Sequence, residues 1–275
     1  MKIIFCTENR NNNWTEDFLI NEFFNYEYVY EKNLNNVKSY QDILVFSSPS
    51  YSFNEILNLV KKISPKIIVN LSDEFYGWDF DNFNILGNYC DIYMRQYHYK
   101  NYNYTPNTIH IPLGYTNDLI KYKKKNIKSN DRKITWSLFT NHMNYDRLQL
   151  ISCFKKLKGG FCGKNINKKT LSNFYTNSVF SPCGRGHSNL NCFRLYEASL
   201  FGSIPIVVGD PDEIKQTFFY EDNPPWIFSH SWENSVEYCE YLLNNVTELL
   251  SIQENIEIWW SKRLFDVKDK LKNFL

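Results

Sequence analysis

The stretch "NCFRLYEASLFGSIPIVVGD" (191–210) places Arg194 and Glu197 three positions apart among Phe193, Leu195, Tyr196, Ala198 and Leu200. On a helix that spacing sets both side chains on one face. A carboxylate there can accept two hydrogen bonds from the vicinal hydroxyls of a ribose. An arginine can neutralise a diphosphate through its planar fork. The plain alternative is an i, i+3 salt bridge on an exposed face, worth about 0.3 kcal/mol.

The residues just before, "SPCGRGHSN" (181–189), add a loop in which Gly184 and Gly186 permit close backbone approaches. Ser188 to Asn191 are suited to begin and cap the helix. The free N–H groups of such a start, with the helix dipole, favour a diphosphate. The loop lacks the third glycine of the dinucleotide fingerprint and is not a Walker loop, so alone it specifies little.

Other reactive side chains carry weaker signals. The seven cysteines (6, 90, 153, 162, 183, 192 and 239) are odd in number, widely spaced and without a CxxC. This argues against a disulfide framework or zinc site and for a reducing compartment. Cys183 and Cys192 could be imagined as a nucleophile or metal pair, but small apolar fillers is the simpler reading. The run "RQYHYKNYNYT" (95–105) has rings that could stack on sugars. In a chain with 20 Tyr and 21 Phe, a packed loop is the reading preferred.

The elements that must hold these groups follow from periodicity. Short apolar runs recur at 2–7, 26–31, 42–48, 65–72, 90–97 and 108–114, with helical patterns at 14–24 and 53–63 between them. In the latter, Phe53, Ile56, Leu57 and Val60 share a face. The pattern restarts after the basic run "KYKKKNIKSNDRK" (121–133), which reads as a solvated linker. A strand (133–140) precedes a helix (144–157) with Leu148, Ile151 and Leu157 among its apolar positions. Strands at 178–183 and 204–209 follow, then helices to the end. Apolar strands alternating with helices predict α/β architecture with parallel sheets covered on both faces.

The expectation is two Rossmann-like domains, 1–125 and 126–275, facing across a cleft at their carboxyl strand edges. The last helix, with Trp259, Trp260, Leu264 and Phe265, would cross back to pack on the first domain, or else stay with the second. A net charge of +1 gives none of the basic excess of a nucleic-acid binder. No run reaches the about 20 apolar residues of a membrane span, and the N-terminus does not read as a signal peptide. A cytoplasmic protein is expected.

The segment 178–210 resembles the donor-binding region of the exostosin-like glycosyltransferases. There a Pro-Gly loop leads to an Arg-x-x-Glu-Ala helix and a Gly-x-Ile-Pro-Val strand. Here those residues are Pro182, Gly184, Arg194, Glu197, Ala198, Gly202, Ile204, Pro205 and Ile206. "LSDEFYGWD" (71–79), "IPLGYTND" (111–118) and "WSLFTNHMNYDR" (136–147) are similar to the ribitol xylosyltransferase branch. Thr140 departs from the glycine usual at the end of that last strand.

The resemblance implies a GT-B glycosyltransferase whose first domain holds an acceptor and whose second holds a nucleotide-sugar. A UDP-linked sugar, with xylose favoured, is the first expectation. A GDP-sugar, as in fucosyltransferases, and a silent nucleotide-sugar or glycan binder are the alternatives. Glu197 becomes the ribose ligand and Arg194 a phosphate contact, with Gly184, Gly186 and Ser188 around them. Arg147 and Asn141 are further phosphate-side residues. No metal or other cofactor is expected, because basic residues can offset the leaving diphosphate, and "DPD" (210–212), following a strand of the second half, reads more simply as a turn. Inverting transfer needs a base for the acceptor hydroxyl. Asp73 and Glu74, beyond an apolar strand, are the candidates, with helix capping the plainer role. Glu8 is the rival. His98 and His110 are chemically able, but a lone histidine is more often a structural hydrogen-bonder.

Overall fold

A computed structural model describes the chain apart from residues 1, 7–21, 25–27, 39–41, 48–50, 72–73, 75–79, 100–101, 117, 141–143, 187–188, 220–222, 273 and 275. It divides into two compact units. The first comprises Met1–Leu113 with Asp266–Leu275, the second Gly114–Phe265.

The first unit is built on a six-stranded parallel sheet: β1 (Ile3–Cys6), β2 (Tyr28–Glu31), β3 (Ile43–Ser47), β4 (Ile67–Leu71), β5 (Ile92–Arg95) and β6 (Thr108–His110). Their order is β2-β1-β3-β4-β5-β6. β1 and β4 are buried along their whole length, as a sheet covered on both faces requires. Helix α1 (Phe53–Ile63) covers one face with Ile56, Leu59, Val60 and Ile63. These pack with Ile4, Leu44, Phe46, Ile68 and Tyr93, while Phe53 and Leu57 flank the cluster. A capping box starts the helix: Glu55 N–H donates to Ser52 Oγ and Ser52 N–H to Glu55 Oε2.

The second unit repeats the scheme with β7 (Ile134–Phe139), β8 (Gly160–Gly163), β9 (Ser178–Pro182), β10 (Ile204–Val208) and β11 (Ile227–Ser229). All pairs are parallel, in the order β11-β10-β9-β7-β8. Its helices are α2 (Tyr145–Phe154), α3 (Lys168–Asn177), α4 (Phe193–Leu200), α5 (Pro211–Phe218), α6 (Trp232–Asn244) and α7 (Val246–Leu271). The end of α7, from Asp266, groups with the first unit. Among the described residues, no helix is long and apolar enough to cross a membrane.

Three expectations are corrected here. In α2 the inward positions are Leu150, Cys153 and Phe154, followed by Leu157. Leu148 is 55% exposed. Of the three apolar positions read from the sequence, Leu157 is buried and Ile151 half-buried, so only Leu148 faces outward. The ring contacts of the α7 tryptophans lie within the second unit. Trp259 packs edge-on to Trp226, and Trp260 against Tyr115 and Tyr196, all within the second unit. Phe265 is exposed. Finally, the basic run is solvated only in part. Lys121 and Lys123 to Lys125 are exposed, but Arg132 is buried, donating to the carbonyls of Ile127, Tyr175, Ser178 and Phe201 at 2.8–3.0 Å.

Candidate functional site

In the second unit the chain leaves β7 through α2 to reach β8 on one side. It then passes through α3 to β9 on the other side of β7. The strand order therefore reverses between β7 and β9. A crevice at the carboxyl ends of strands at such a point is where open α/β sheets bind ligands. The residues leaving those two strand ends are Thr140 and the glycine loop Cys183–Gly186. The chemistry-bearing pair read from the sequence follows that loop.

Helix α4 begins at Phe193, with Cys192 as its cap and no side-chain cap hydrogen bond. This is later than the expected start at 188–191. Asn189 and Asn191 instead make a turn of their own, Asn191 N–H donating to Asn189 Oδ1 at 2.8 Å. Among the described residues, the buried Asn191 Oδ1 has no hydrogen-bond partner.

Glu197 is fully buried, and both carboxylate oxygens are engaged. Oε1 accepts from the Thr116 hydroxyl at 2.9 Å and the Thr116 N–H at 3.4 Å. Oε2 accepts from Arg194 at 2.6 Å and from the Tyr175 hydroxyl at 3.4 Å. The i, i+3 salt bridge of the plain alternative forms, but with its carboxylate buried rather than on an exposed face. The carboxylate end is sealed, while the Arg194 side chain keeps 30% of its surface exposed. Burial works against the arginine's charge, but Glu197 outweighs it and raises the pKa above the usual arginine range. Burial drives the Tyr175 phenol well above its ordinary value, so it stays a donor. The Arg194 Nε also donates to Phe139 O at 3.3 Å, which ties the guanidinium to the end of β7.

The glycine loop is clamped from the start of α2. Asp146 accepts from Arg185 N–H at 3.0 Å and from the Trp232 indole at 2.8 Å. Arg147 donates to Arg185 O at 2.9 Å. The Arg185 guanidinium makes a two-pronged pair with Glu213 at 2.5 and 2.7 Å. Gly184 is required by this clamp: a Cβ there would lie 2.7 Å from Arg147 Cγ and 3.1 Å from Asp146 Oδ2. Gly184→Ala is expected to destabilise the protein by about 1–3 kcal/mol through overpacking. At roughly 2–4 °C per kcal/mol the loss is readable as a lower melting temperature. A variant melting with wild type would show that this approach is looser in solution.

Of the predicted residues, Arg194, Glu197, Gly184, Gly186 and Arg147 come together at or beside the β7–β9 strand ends. Asn141, Ser188, Asp73 and Glu8 lie outside the described residues. Glu74 is buried in the first unit, three residues beyond β4. His98 and His110 are not lone. The rings lie 4.9 Å apart edge to face, and Tyr104 stacks on His98 at 5.5 Å. Tyr104 hydroxyl accepts from Tyr99 N–H at 2.8 Å, so this stretch packs on itself, as the plainer reading had it. Sequence reasoning missed Thr116, Tyr175 and Asp146. Thr116 sits inside the quoted "IPLGYTND", and Asp146 adjoins Arg147 at a helix start. Tyr175 had no local signal. Among the described residues no group of three or more His, Cys, Asp or Glu could hold a metal ion.

No family model matches the chain, and no curated protein matches it significantly. Solved structures do. Anabaena HepE in complex with UDP and glucose aligns with a TM-score of 0.62 and 8% identity, covering 100% of this chain and 99% of that one. An α-glucosyltransferase bound to UDP-glucose and DNA containing an abasic site aligns at 0.56 and 11%, covering 98% of each. An α1,3-fucosyltransferase aligns at 0.52 and 14%, covering 96% and 90%. At such identities the likeness establishes the fold: α/β of GT-B type, with two Rossmann-like units.

Proposed function

We propose that the chain is a glycosyltransferase that moves a sugar from a nucleotide-sugar to an acceptor hydroxyl. The second half would hold the donor and the first half the acceptor. The observation that carries this reading is the Arg194–Glu197 pair beside a clamped glycine loop, at the switch point of the second sheet. The UDP and UDP-glucose complexes among the structural neighbours support a nucleotide-sugar donor. The exostosin-like motif, with its ribitol xylosyltransferase branch, supports a UDP-linked sugar and favours xylose.

The chemistry asks little of the protein beyond placing charge. The acceptor oxygen attacks the anomeric carbon from the face opposite the diphosphate, with inversion. As the glycosidic bond breaks, negative charge grows on the diphosphate. Arg194, the α4 N–H groups and Arg147, on turning from Arg185 O, would meet that charge without a metal. Asp73 or Glu74 would take the acceptor proton. Asp73→Asn and Glu74→Gln, both retaining full transfer, would place the base elsewhere. The dispersed cysteines fit work in a reducing compartment such as the cytoplasm.

A GDP-linked donor is the second reading, because an α1,3-fucosyltransferase solved with GDP-fucose shares the fold. Thermal unfolding against a nucleotide panel separates the two. UDP at about a hundred times its dissociation constant adds about 2.7 kcal/mol. At roughly 2–4 °C per kcal/mol that is a clear rise in melting temperature. Stabilisation by GDP alone would transfer the proposal to the second reading, and stabilisation by neither would refute both. A protein that binds UDP-sugar but never turns it over, with or without acceptors, would be the silent binder.

A further inference from the structure

Arg147, Arg185 and Arg194 stand around the glycine loop, and they differ in what they would leave behind on moving. Arg194 is paired with a carboxylate that has no exposed surface, so its departure would strand a buried charge. Arg147 donates to a neutral carbonyl, Arg185 O. Arg185 is paired with Glu213 in a two-pronged contact at 2.5 and 2.7 Å, and the side chains keep 33% and 32% of their surface exposed.

Position singles out the same residue. Arg185 lies between Gly184 and Gly186, in the loop that leaves β9, and α5 follows β10, the neighbour of β9 in the sheet. The guanidinium and Glu213 thus meet across the carboxyl edge of the sheet. The main chain of Arg185 is fixed from α2, its N–H donating to Asp146 at 3.0 Å and its carbonyl accepting from Arg147 at 2.9 Å. Its side chain has a single tether. Among the described residues, Glu213 is the hydrogen-bond partner of the guanidinium.

We propose that Arg185 is a diphosphate-binding residue of the donor site, which exchanges Glu213 for the phosphates when a nucleotide binds. This role rests on the nucleotide-sugar reading above.

The exchange is favourable at both ends. A diphosphate offers the planar fork the same paired oxygens as a carboxylate and carries more negative charge. A pair as exposed as Arg185–Glu213 is weak, because water screens it. Glu213 tolerates the loss. It lies in the first turn of α5, where Asp210 Oδ1 accepts from the Asp212 and Glu213 N–H groups at 2.9 and 3.4 Å. The positive end of the helix dipole stabilises a carboxylate at that place. Glu213 is then a positioning residue: it holds the guanidinium at the sheet edge and competes with the phosphates for it. As the glycosidic bond breaks, Arg185 joins Arg194 in meeting the charge that grows on the leaving diphosphate.

Calorimetric titration of UDP into the whole chain and two variants is the test, with uridine, competed against UDP, as the control without phosphate. Arg185→Gln is expected to weaken UDP binding about tenfold or more, the range of a hydrogen bond to a charged group, and to leave uridine binding unchanged. Glu213→Gln removes the competing charge and is expected to tighten UDP binding about two- to fivefold, the range of a partly exposed ion pair. The opposite signs separate this role from a structural one, in which breaking the pair from either side loosens the loop and weakens UDP alike. Equal or weaker UDP binding by Glu213→Gln would overturn the exchange. Unchanged UDP affinity in a folded Arg185→Gln would overturn the phosphate contact and leave the donor site standing. Should circular dichroism show Arg185→Gln to be misfolded, Glu213→Gln decides, since misfolding cannot tighten binding. GDP and guanosine take the place of UDP and uridine if GDP is the nucleotide that stabilises the chain. Wild type that binds neither UDP nor GDP would refute the donor reading, and this role with it.

Discussion

Replacing Arg132 with alanine is expected to destabilise the second unit by about 4 kcal/mol, taking roughly 1 kcal/mol for each of four buried carbonyls left without their donor. The guanidinium reaches Ile127 O, Tyr175 O, Ser178 O and Phe201 O. These tie the entry to β7, the end of α3, the start of β9 and the end of α4 to one planar group. Burial lowers its pKa to about 10, with Glu257 opposing, which still leaves it charged at neutral pH. Arg132→Lys should recover only part of the loss, because an ammonium cannot span the same fork. Denaturant unfolding is the measurement; a change under 1 kcal/mol for the alanine variant would show that water replaces the guanidinium at no cost. Gly202→Ala should act on the same joint. Gly202 has φ +71° at the end of α4, and an added Cβ would sit 2.7 Å from the Arg132 guanidinium.

Glu197→Gln carries the second large effect, and it separates two roles for this residue. The amide keeps the shape but turns a donor toward Arg194, at a position with no exposed surface. Removing one partner of a buried pair costs about 3–5 kcal/mol, and the partial exposure of Arg194 brings the expectation here to about 2–3 kcal/mol. As a ribose ligand, Glu197 would have to trade its two 3.4 Å contacts, from Thr116 N–H and the Tyr175 hydroxyl, for ribose hydroxyls. Wild type should then bind 2′-deoxy-UDP about tenfold or more weakly than UDP, the range of a hydrogen bond to a charged group. In the glutamine variant that gap should shrink. Equal binding of both nucleotides by wild type would assign Glu197 to holding Arg194 in place, with no contact to ribose. Calorimetric titration at matched temperature, below the melting point of the variant, reads both affinities.

Local chemistry made much of the architecture legible. β4 and β9 are runs of residues buried at every position, so they announced covered parallel strands without any partner being known. The capping box at Ser52 and Glu55 marks a helix start within four residues. Arg194 and Glu197 were placed on one face of α4 by spacing alone, and Gly202 at its end by composition. The readings that failed depended on which of two plausible faces is chosen. Leu148 and Leu150 are equally apolar, and only the position of α2 on the sheet exposes one and buries the other. Trp259 and Trp260 promised a contact without saying against what, and Trp226, Tyr196 and Tyr115 supplied it.

The site shows the same division. Its sequence determined residue types and their order: a glycine loop, then a cation and a carboxylate one turn apart, then a glycine and a strand. Tertiary structure decided what the charges do. Glu197 takes its partners from Thr116, 81 positions away, and Tyr175, 22 away. Those contacts bury the carboxylate and leave Arg194 as the half of the pair that meets solvent. Spacing is a property of the chain and can be read from it. Desolvation depends on which distant segments the sheet order brings together, and no local pattern encodes that.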